Sequence, residues 1–210
     1  MSLDQNMLDD IDTQRSENGF LTLGETMKLS ESGNTVLDPF STLISMHAKI
    51  GSNNVFYPNV TVLADNKDVV TIKDHNIFYP MTYMEATGGV IEIGSHNQFG
   101  PEDGVTIKAN GPDTFISIGN YGRYLSGATF LGKSTLGNGS QVLGSITIEN
   151  CILEQGGSFK EVNPDLRAAV IKGRGLIRNR TINKGDVAVL GEPLPEVIIQ
   201  KQSDFHPQKP

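Results

Sequence analysis

Apolar and aromatic residues return every six positions along the central part of the chain. The frame is occupied by Ile44, Ile50, Phe56, Val62, Ile72, Phe78, Met84, Ile93, Phe99, Val105, Ile118, Tyr124, Phe130, Leu136, Val142 and Ile148. An α-helix would need apolar recurrence near 3.6 residues, and a sheet of hairpins would need recurrence at two with reversing turns. Neither keeps a six-residue frame over so long a stretch, so the pattern predicts a repeat architecture.

Three such sixes are enough to close one turn of a coil. Groups of three start at residues 50, 72, 93, 118 and 136, and the longer spacings carry their extra residues after the third six. Six residues suit a very short strand and a corner, and coils stack at the ordinary interstrand distance of ~4.8 Å. No single coil could bury its apolar face alone. The predicted fold class is therefore all-β, a single-stranded parallel β-helix of about five to six coils.

Stacking of coils in register predicts columns of like residues. One column is largely aromatic and contains Phe56, Phe78, Phe99, Tyr124 and Val142. Another contains Asn54, Asn76 and Asn97, whose amides are expected to hydrogen-bond along the axis as asparagine ladders do.

The frame divides the chain into three parts. Residues 1–35 hold seven acidic and two basic residues without the repeat and are predicted to form an acidic N-terminal arm or cap. Residues 36–157 are predicted to form the β-helix, and residues 158–210 are predicted to form a C-terminal cap and tail. In that last part "VIIQKQ" is a candidate final strand, and Asn163-Pro164 fits the start of a helix. Because open coil ends are exposed strand edges, the terminal segments are expected to cover them.

Composition agrees with a strand-rich and turn-rich protein. The 210 residues include 23 Gly and 10 Pro with 37% apolar residues, and the net charge of −7 argues against a nucleic-acid-binding surface. The one cysteine, Cys151, has no partner for an internal disulfide, which fits a reducing compartment. No apolar run is long enough to span a bilayer, and the N-terminus lacks the layout of a signal peptide. We expect a cytoplasmic protein without a membrane span.

Two histidines occupy the same place in the frame. His75 and His96 each lie three residues after a start residue, so they are predicted at one corner of adjacent coils, roughly 5 Å apart. Asn53 precedes them in this column and Tyr121 follows. A corner imidazole is well placed as a general base for an acceptor hydroxyl or amine, and two imidazoles can share a metal. The simpler interpretation is that corner side chains face water and any polar residue serves there.

The stretches "IGSNNV" and "IGSHNQ" carry an Ile-Gly-x-x-Asn-x pattern, and on these residues the chain resembles the hexapeptide-repeat superfamily. The resemblance covers about residues 36–157, and "INKGDVAVLGEP" is similar to the segment that closes many members. It implies a left-handed β-helix, although ordinary parallel crossovers are right-handed. It also implies a homotrimer. A looser likeness is to the pointed-end subunits of dynactin.

The largest functional class of this superfamily transfers acyl groups, with a histidine as base. The resemblance therefore implies an acyltransferase-like protein with acyl-CoA as donor and His75 or His96 as catalytic base. A basic stretch without acidic residues between positions 167 and 184 offers an anchor for donor phosphates. The residues assigned to this anchor are Lys172, Arg174, Arg178 and Arg180, with Arg167 and Lys184 beside them. Pairing with the acidic arm, or simple solvation, is the alternative role for these cations.

Two further functions of the superfamily remain open. Non-enzymatic members of the superfamily show that the fold can serve as a scaffold or binding protein. In that role this chain would bind a protein partner. The γ-class carbonic anhydrases bind a metal through three histidines. In this chain His47 lies on a different face from His75 and His96, and His206 lies in a polar tail. Three imidazoles therefore do not assemble in that pattern and no metal is expected, which leaves a divergent γ-carbonic anhydrase-like metal protein as the third alternative.

Overall fold

The computed structural model describes residues 5–191 and 197–206, which form a parallel β-solenoid with short terminal helices. The predicted all-β parallel β-helix is thus confirmed. Within the described ranges, strands β1 to β21 pass in turn through three sheets, so that every third strand belongs to the same sheet. Each coil accordingly contributes one short strand to each face, as the six-residue frame requires.

The strands are numbered along the chain. In spatial order the first sheet contains β1 (Thr35–Val36), β4 (Val55–Phe56), β7 (Ile77–Phe78), β10 (Gln98–Phe99), β13 (Arg123–Leu125), β16 (Gln141–Leu143), β19 (Val170–Gly173), β22 (Asp186–Leu190) and β23 (Val197–Lys201). The second contains β2 (Leu43–Ile44), β5 (Thr61–Ala64), β8 (Tyr83–Thr87), β11 (Thr106–Asn110), β14 (Thr129–Leu131), β17 (Ile146–Glu149) and β20 (Gly175–Arg178). The third contains β3 (Lys49–Ile50), β6 (Val70–Ile72), β9 (Val90–Ile93), β12 (Phe115–Ile118), β15 (Lys133–Leu136), β18 (Ile152–Leu153) and β21 (Thr181–Ile182).

The aromatic column predicted from the frame runs up the first sheet. Phe56 pairs in register with Phe78, Phe78 with Phe99, Phe99 with Tyr124, and Tyr124 with Val142. The first three rings are fully buried and stacked, with centroids 5.1 and 5.0 Å apart. Strand spacing and ring stacking distance nearly coincide, so one column satisfies both backbone pairing and aromatic packing.

The frame was wrong at one position. Met84 pairs in register with Ile107, whereas the six-residue count placed Val105 in that column. Two extra residues in the corner between Phe99 and Val105 shift the strand. The corner contains Gly100 and Gly104, and a Cβ built on Gly100 would lie 2.4 Å from the Gly104 Cα. Because Val105 is itself buried, hydrophobicity alone did not reveal the shift.

The asparagine ladder is present and begins one coil earlier than predicted, at Asn34. Its side-chain oxygen accepts from the Asn54 backbone N–H, and the oxygens of Asn54 and Asn76 accept in turn from the backbone N–H of the next rung. The Asn97 oxygen accepts from Gly122 N–H, which ends the ladder. The backbone at this corner is not part of a strand, so its N–H groups lack the usual strand-to-strand partners. The buried asparagine side chains accept hydrogen bonds from these N–H groups instead.

The N-terminal residues cover the first coil. They contain α1 (Gln5–Glu17), α2 (Leu23–Lys28) and a 3₁₀ helix (Leu29–Ser32). Arg15 is buried, and its guanidinium donates to the carbonyls of Leu21, Pro39 and Thr42 and to the Thr26 hydroxyl. One side chain therefore connects α1, α2 and the first corner.

The parallel strands continue past residue 157, where the predicted frame ended. After an irregular stretch, β19 to β22 resume the three sheets, and β23 pairs antiparallel with β22. This last strand contains the first five residues of the predicted "VIIQKQ", and Gln202 begins the helix that follows. The helix expected at Asn163-Pro164 is a 3₁₀ turn (Pro164–Leu166), with the Asn163 side chain accepting from Asp165 N–H, and α3 (Gln202–Phe205) follows β23. Across the described part of the chain, no helix is long and apolar enough to cross a membrane.

Candidate functional site

His75 and His96 lie at the corner between the third and first sheets, on adjacent coils. Each follows a strand of the third sheet and precedes a strand of the first. Their backbone φ values are 59° and 63°, and Asn53 and Tyr121 at the same corner have 56° and 60°. Residues other than glycine are uncommon in this left-handed region, and Asn and His are among the better tolerated. The conformation turns the chain and leaves the side chain on the outside of the coil.

The rings form a continuous stack. The imidazoles of His75 and His96 are 4.8 Å apart at their centroids and 3° from parallel. The Tyr121 ring continues the stack at 4.8 Å and 0° from the His96 ring. All three side chains are exposed. The structure thus brings the two predicted catalytic histidines together at the spacing that the frame implies.

Two hydrogen-bonded ladders hold this corner from either side. On one side is the buried asparagine ladder, which includes Asn76 and Asn97. On the other, Ser52 N–H donates to the Asp74 carboxylate, Asp74 N–H to the Ser95 hydroxyl, and Ser95 N–H to the Asn120 oxygen. The frame did not reveal this second ladder, because its members are of different residue types. Together the ladders fix the corner backbone, which is how a scaffold pre-organises a site.

The imidazoles are free to meet a ligand. Within residues 5–191 and 197–206, neither ring takes part in a hydrogen bond. On the adjacent face of the third sheet a groove of about 360 Å³ is lined by residues that include Lys73, Glu92 and Asn120. Neither histidine is among the described residues that line this groove, and an imidazole at the corner next to it can accept a proton from a hydroxyl or amine bound there.

His47 is separate from this stack. It lies between β2 and β3, at the corner joining the second sheet to the third, as the frame predicted. In the part of the chain that the structure describes, no group of three or more His, Cys, Asp or Glu side chains is placed to hold a metal ion.

The four cations of the predicted donor anchor lie around one coil rather than in one cluster. Lys172 is on the first sheet, Arg178 on the second, and Arg174 and Arg180 at the corners that follow each of these strands. Arg178 donates to the Glu149 carboxylate. Lys172 lines a cavity, and burial away from water lowers the pKa of its ammonium group. Of the four, Lys172 is therefore the residue that lines a cavity.

The fold is similar to that of two solved structures. One is LpxA from Acinetobacter baumannii, with 14% identity, a TM-score of 0.36, and coverage of 85% of this chain and 77% of that chain. Another is a mutant of AntD, an N-acyltransferase from Bacillus cereus, in complex with dTDP-4-amino-4,6-dideoxyglucose and Coenzyme A. That match has 14% identity, a TM-score of 0.37, and coverage of 87% of this chain and 90% of that chain. No family model and no curated protein matches the sequence.

Proposed function

We propose that this protein is an acyltransferase of the hexapeptide-repeat type that moves an acyl group from acyl-CoA to a hydroxyl or amine. The observation that carries the proposal is the pair of exposed, stacked imidazoles of His75 and His96 on a rigid corner. In the reaction the acceptor attacks the thioester carbonyl, the C–S bond breaks, and a C–O or C–N bond forms. An imidazole takes the acceptor proton and returns it to the leaving thiolate.

The donor is proposed to lie with its phosphates near the basic segment, and Lys172 is the member of that segment best placed to meet them. An ammonium group lining a cavity interacts more strongly with phosphate than one in bulk water, because screening there is weaker. Arg178 is less suited to this role because Glu149 already neutralises it.

Assembly into a homotrimer is part of the same proposal. A neighbouring subunit beside the corner would enclose the imidazoles, which are exposed on a single chain, and would exclude water from the reaction. We expect sedimentation equilibrium to give three times the chain mass of 22.7 kDa. A chain that stays monomeric at the concentration used for assays would contradict this part of the proposal.

Acetyl-CoA titration tests the donor site, and histidine variants test the base. We expect millimolar acetyl-CoA to raise the melting temperature by about 2–5 °C, because a ligand specific to the folded state stabilises it. Of His75→Ala and His96→Ala, the variant that removes the base should lower the rate of acetyl transfer by about 10²-fold or more, while donor binding changes little. His47→Ala is the matched control, since it removes an imidazole from a different corner. Equal transfer by wild type and both corner variants would exclude the imidazoles as bases.

A binding scaffold is the second candidate, and one observation favours it. Within the described chain, no carboxylate or carbonyl accepts from the other ring nitrogen of His75 or His96, although such a partner usually orients a catalytic histidine. Histidine also suits a left-handed corner for conformational reasons alone. If acetyl-CoA produces no thermal shift and the double variant His75→Ala/His96→Ala loses a protein partner or the native assembly, the scaffold function holds.

A further inference from the structure

The outer face of the first sheet is covered over its last coils. In a strand, neighbouring side chains point to opposite faces, so the residues beside the buried Val142 point outward. Register places Arg123, Gln141, Val170 and Val187 in one outward column. Leu143 and Lys172 pair in the next column. These two columns form the floor of a cavity of about 380 Å³.

Two segments from distant parts of the chain build the walls. The irregular stretch before β19 contributes Phe159 and Arg167, and the end of α3 contributes Phe205 and His206. The Arg123 guanidinium lies 4.5 Å from the Phe159 ring centroid, and the Lys172 ammonium lies 3.1 Å from the Phe205 ring centroid. Each aromatic ring in the walls therefore makes a cation–π contact with a cation in the floor of the cavity.

Gln141 is a polar side chain enclosed by this arrangement. It is only 6% exposed, although it points away from the core of the solenoid. Within the described residues its side-chain amide has no hydrogen-bond partner, and it lines the cavity. Its amide atoms are not among the buried unpaired polar atoms of the described chain, so they reach the open space of the cavity. The amide is therefore available to bond a molecule that occupies the cavity.

Positive charge in the cavity is also without a counterion. No acidic side chain is among the described residues that line it, and the ion pairs of the described chain do not involve Arg123, Arg167 or Lys172. Arg167 donates from Nε to the Glu161 backbone carbonyl, which leaves its two terminal nitrogens available. Three cations around one enclosed space favour a doubly charged anion over a single carboxylate.

We propose that this cavity binds a small phosphate monoester with a compact apolar or planar body. The phosphate would lie among Arg123, Arg167 and Lys172, and the Gln141 amide would bond a polar atom of the body. Phe159 and Phe205 would cover its apolar part. The volume lies in the usual range for small-molecule sites. Because Lys172 is also the residue proposed to meet the donor phosphates, this inference deepens the proposed function, and it adds the other residues of the cavity as a binding site for a phosphate monoester.

Calorimetric titration of the full chain with phenyl phosphate tests the site. We expect one site per chain with a dissociation constant of about 0.1–1 mM, and much weaker binding of benzoate and of benzyl alcohol. Lys172→Met and Arg123→Gln should each weaken binding by about tenfold or more. Lys133→Met is the matched control, because Lys133 is exposed on the third sheet and loses the same charge. Circular dichroism of each variant confirms that the fold is retained.

Three results would overturn the inference. They are the absence of saturable binding at about 10 mM phenyl phosphate, benzoate binding as tight as phenyl phosphate, and unchanged affinity in both cavity variants. None of these depends on acetyl-CoA. A protein that binds phenyl phosphate but neither binds nor uses acetyl-CoA would support the cavity and contradict the proposed acyl transfer.

Discussion

Asn76→Ala is expected to destabilise the protein by about 3–5 kcal/mol. The Asn76 side chain is fully buried and serves three coils at once. Its oxygen accepts from both the backbone N–H and the side-chain amide of Asn97, and its amide donates to the Gly94 carbonyl. Truncation leaves the Asn97 N–H and the Gly94 carbonyl buried without partners, and each such group costs about 1–3 kcal/mol. Urea unfolding followed by circular dichroism measures the loss.

Asn66→Ala provides the control for this variant. Asn66 is an exposed residue between β5 and β6, outside any ladder, and its truncation should change the free energy of unfolding by no more than about 0.5 kcal/mol. A loss below about 1 kcal/mol for Asn76→Ala would mean that water replaces the amide at the corner. The ladder would then have no structural importance of its own.

Phe78→Ala is expected to cost about 3–5 kcal/mol, through a different physical cause. The ring is fully buried between the rings of Phe56 and Phe99, at centroid distances of 5.1 and 5.0 Å. Its removal opens a cavity in the middle of the column and deletes two stacked contacts. The coils above and below cannot collapse into the space, because backbone hydrogen bonds fix their separation. The same urea titration measures this effect.

Phe115→Ala is the matched control, because it deletes the same atoms from a ring that is 39% exposed on β12. We expect a loss of about 1 kcal/mol or less there. The loss in stability for Phe78→Leu should lie between the losses for Phe78→Ala and Phe115→Ala, because the leucine side chain fills part of the space. Similar losses for Phe78→Ala and Phe115→Ala would show that the aromatic column adds little to stability.

Much of the fold follows from the sequence because one rule generates it. A strand period of two within a six-residue repeat fixes which side chains face inward. Stacking in register then places any residue from its position in the frame. His75, His96 and Tyr121 were placed correctly on this basis. The rule fails where the chain length of a corner changes, as it does before Ile107, since the rule contains no information on insertions.

The cavity on the first sheet was beyond sequence reasoning for a related reason. Arg123 and Gln141 are neighbours through strand register, but Arg167 reaches them from an irregular stretch and Phe205 from α3. No periodicity links these last two residues to the repeat. His206, dismissed as part of a polar tail, lines the same cavity. The basic stretch did mark Lys172, although the structure shows that its neighbours in sequence, Arg174, Arg178 and Arg180, point to other sides of the coil.

The reversal of chain direction at β23 has a consequence for how this molecule can change in size during evolution. Its backbone runs opposite to that of β22, so the first sheet ends on a strand whose polarity no further parallel rung can copy. Gene duplication that appended repeats after this point would therefore yield a separate module rather than a longer β-solenoid. The solenoid has to lengthen by insertion of whole coils in its interior, where each new strand pairs in parallel with a strand on both sides.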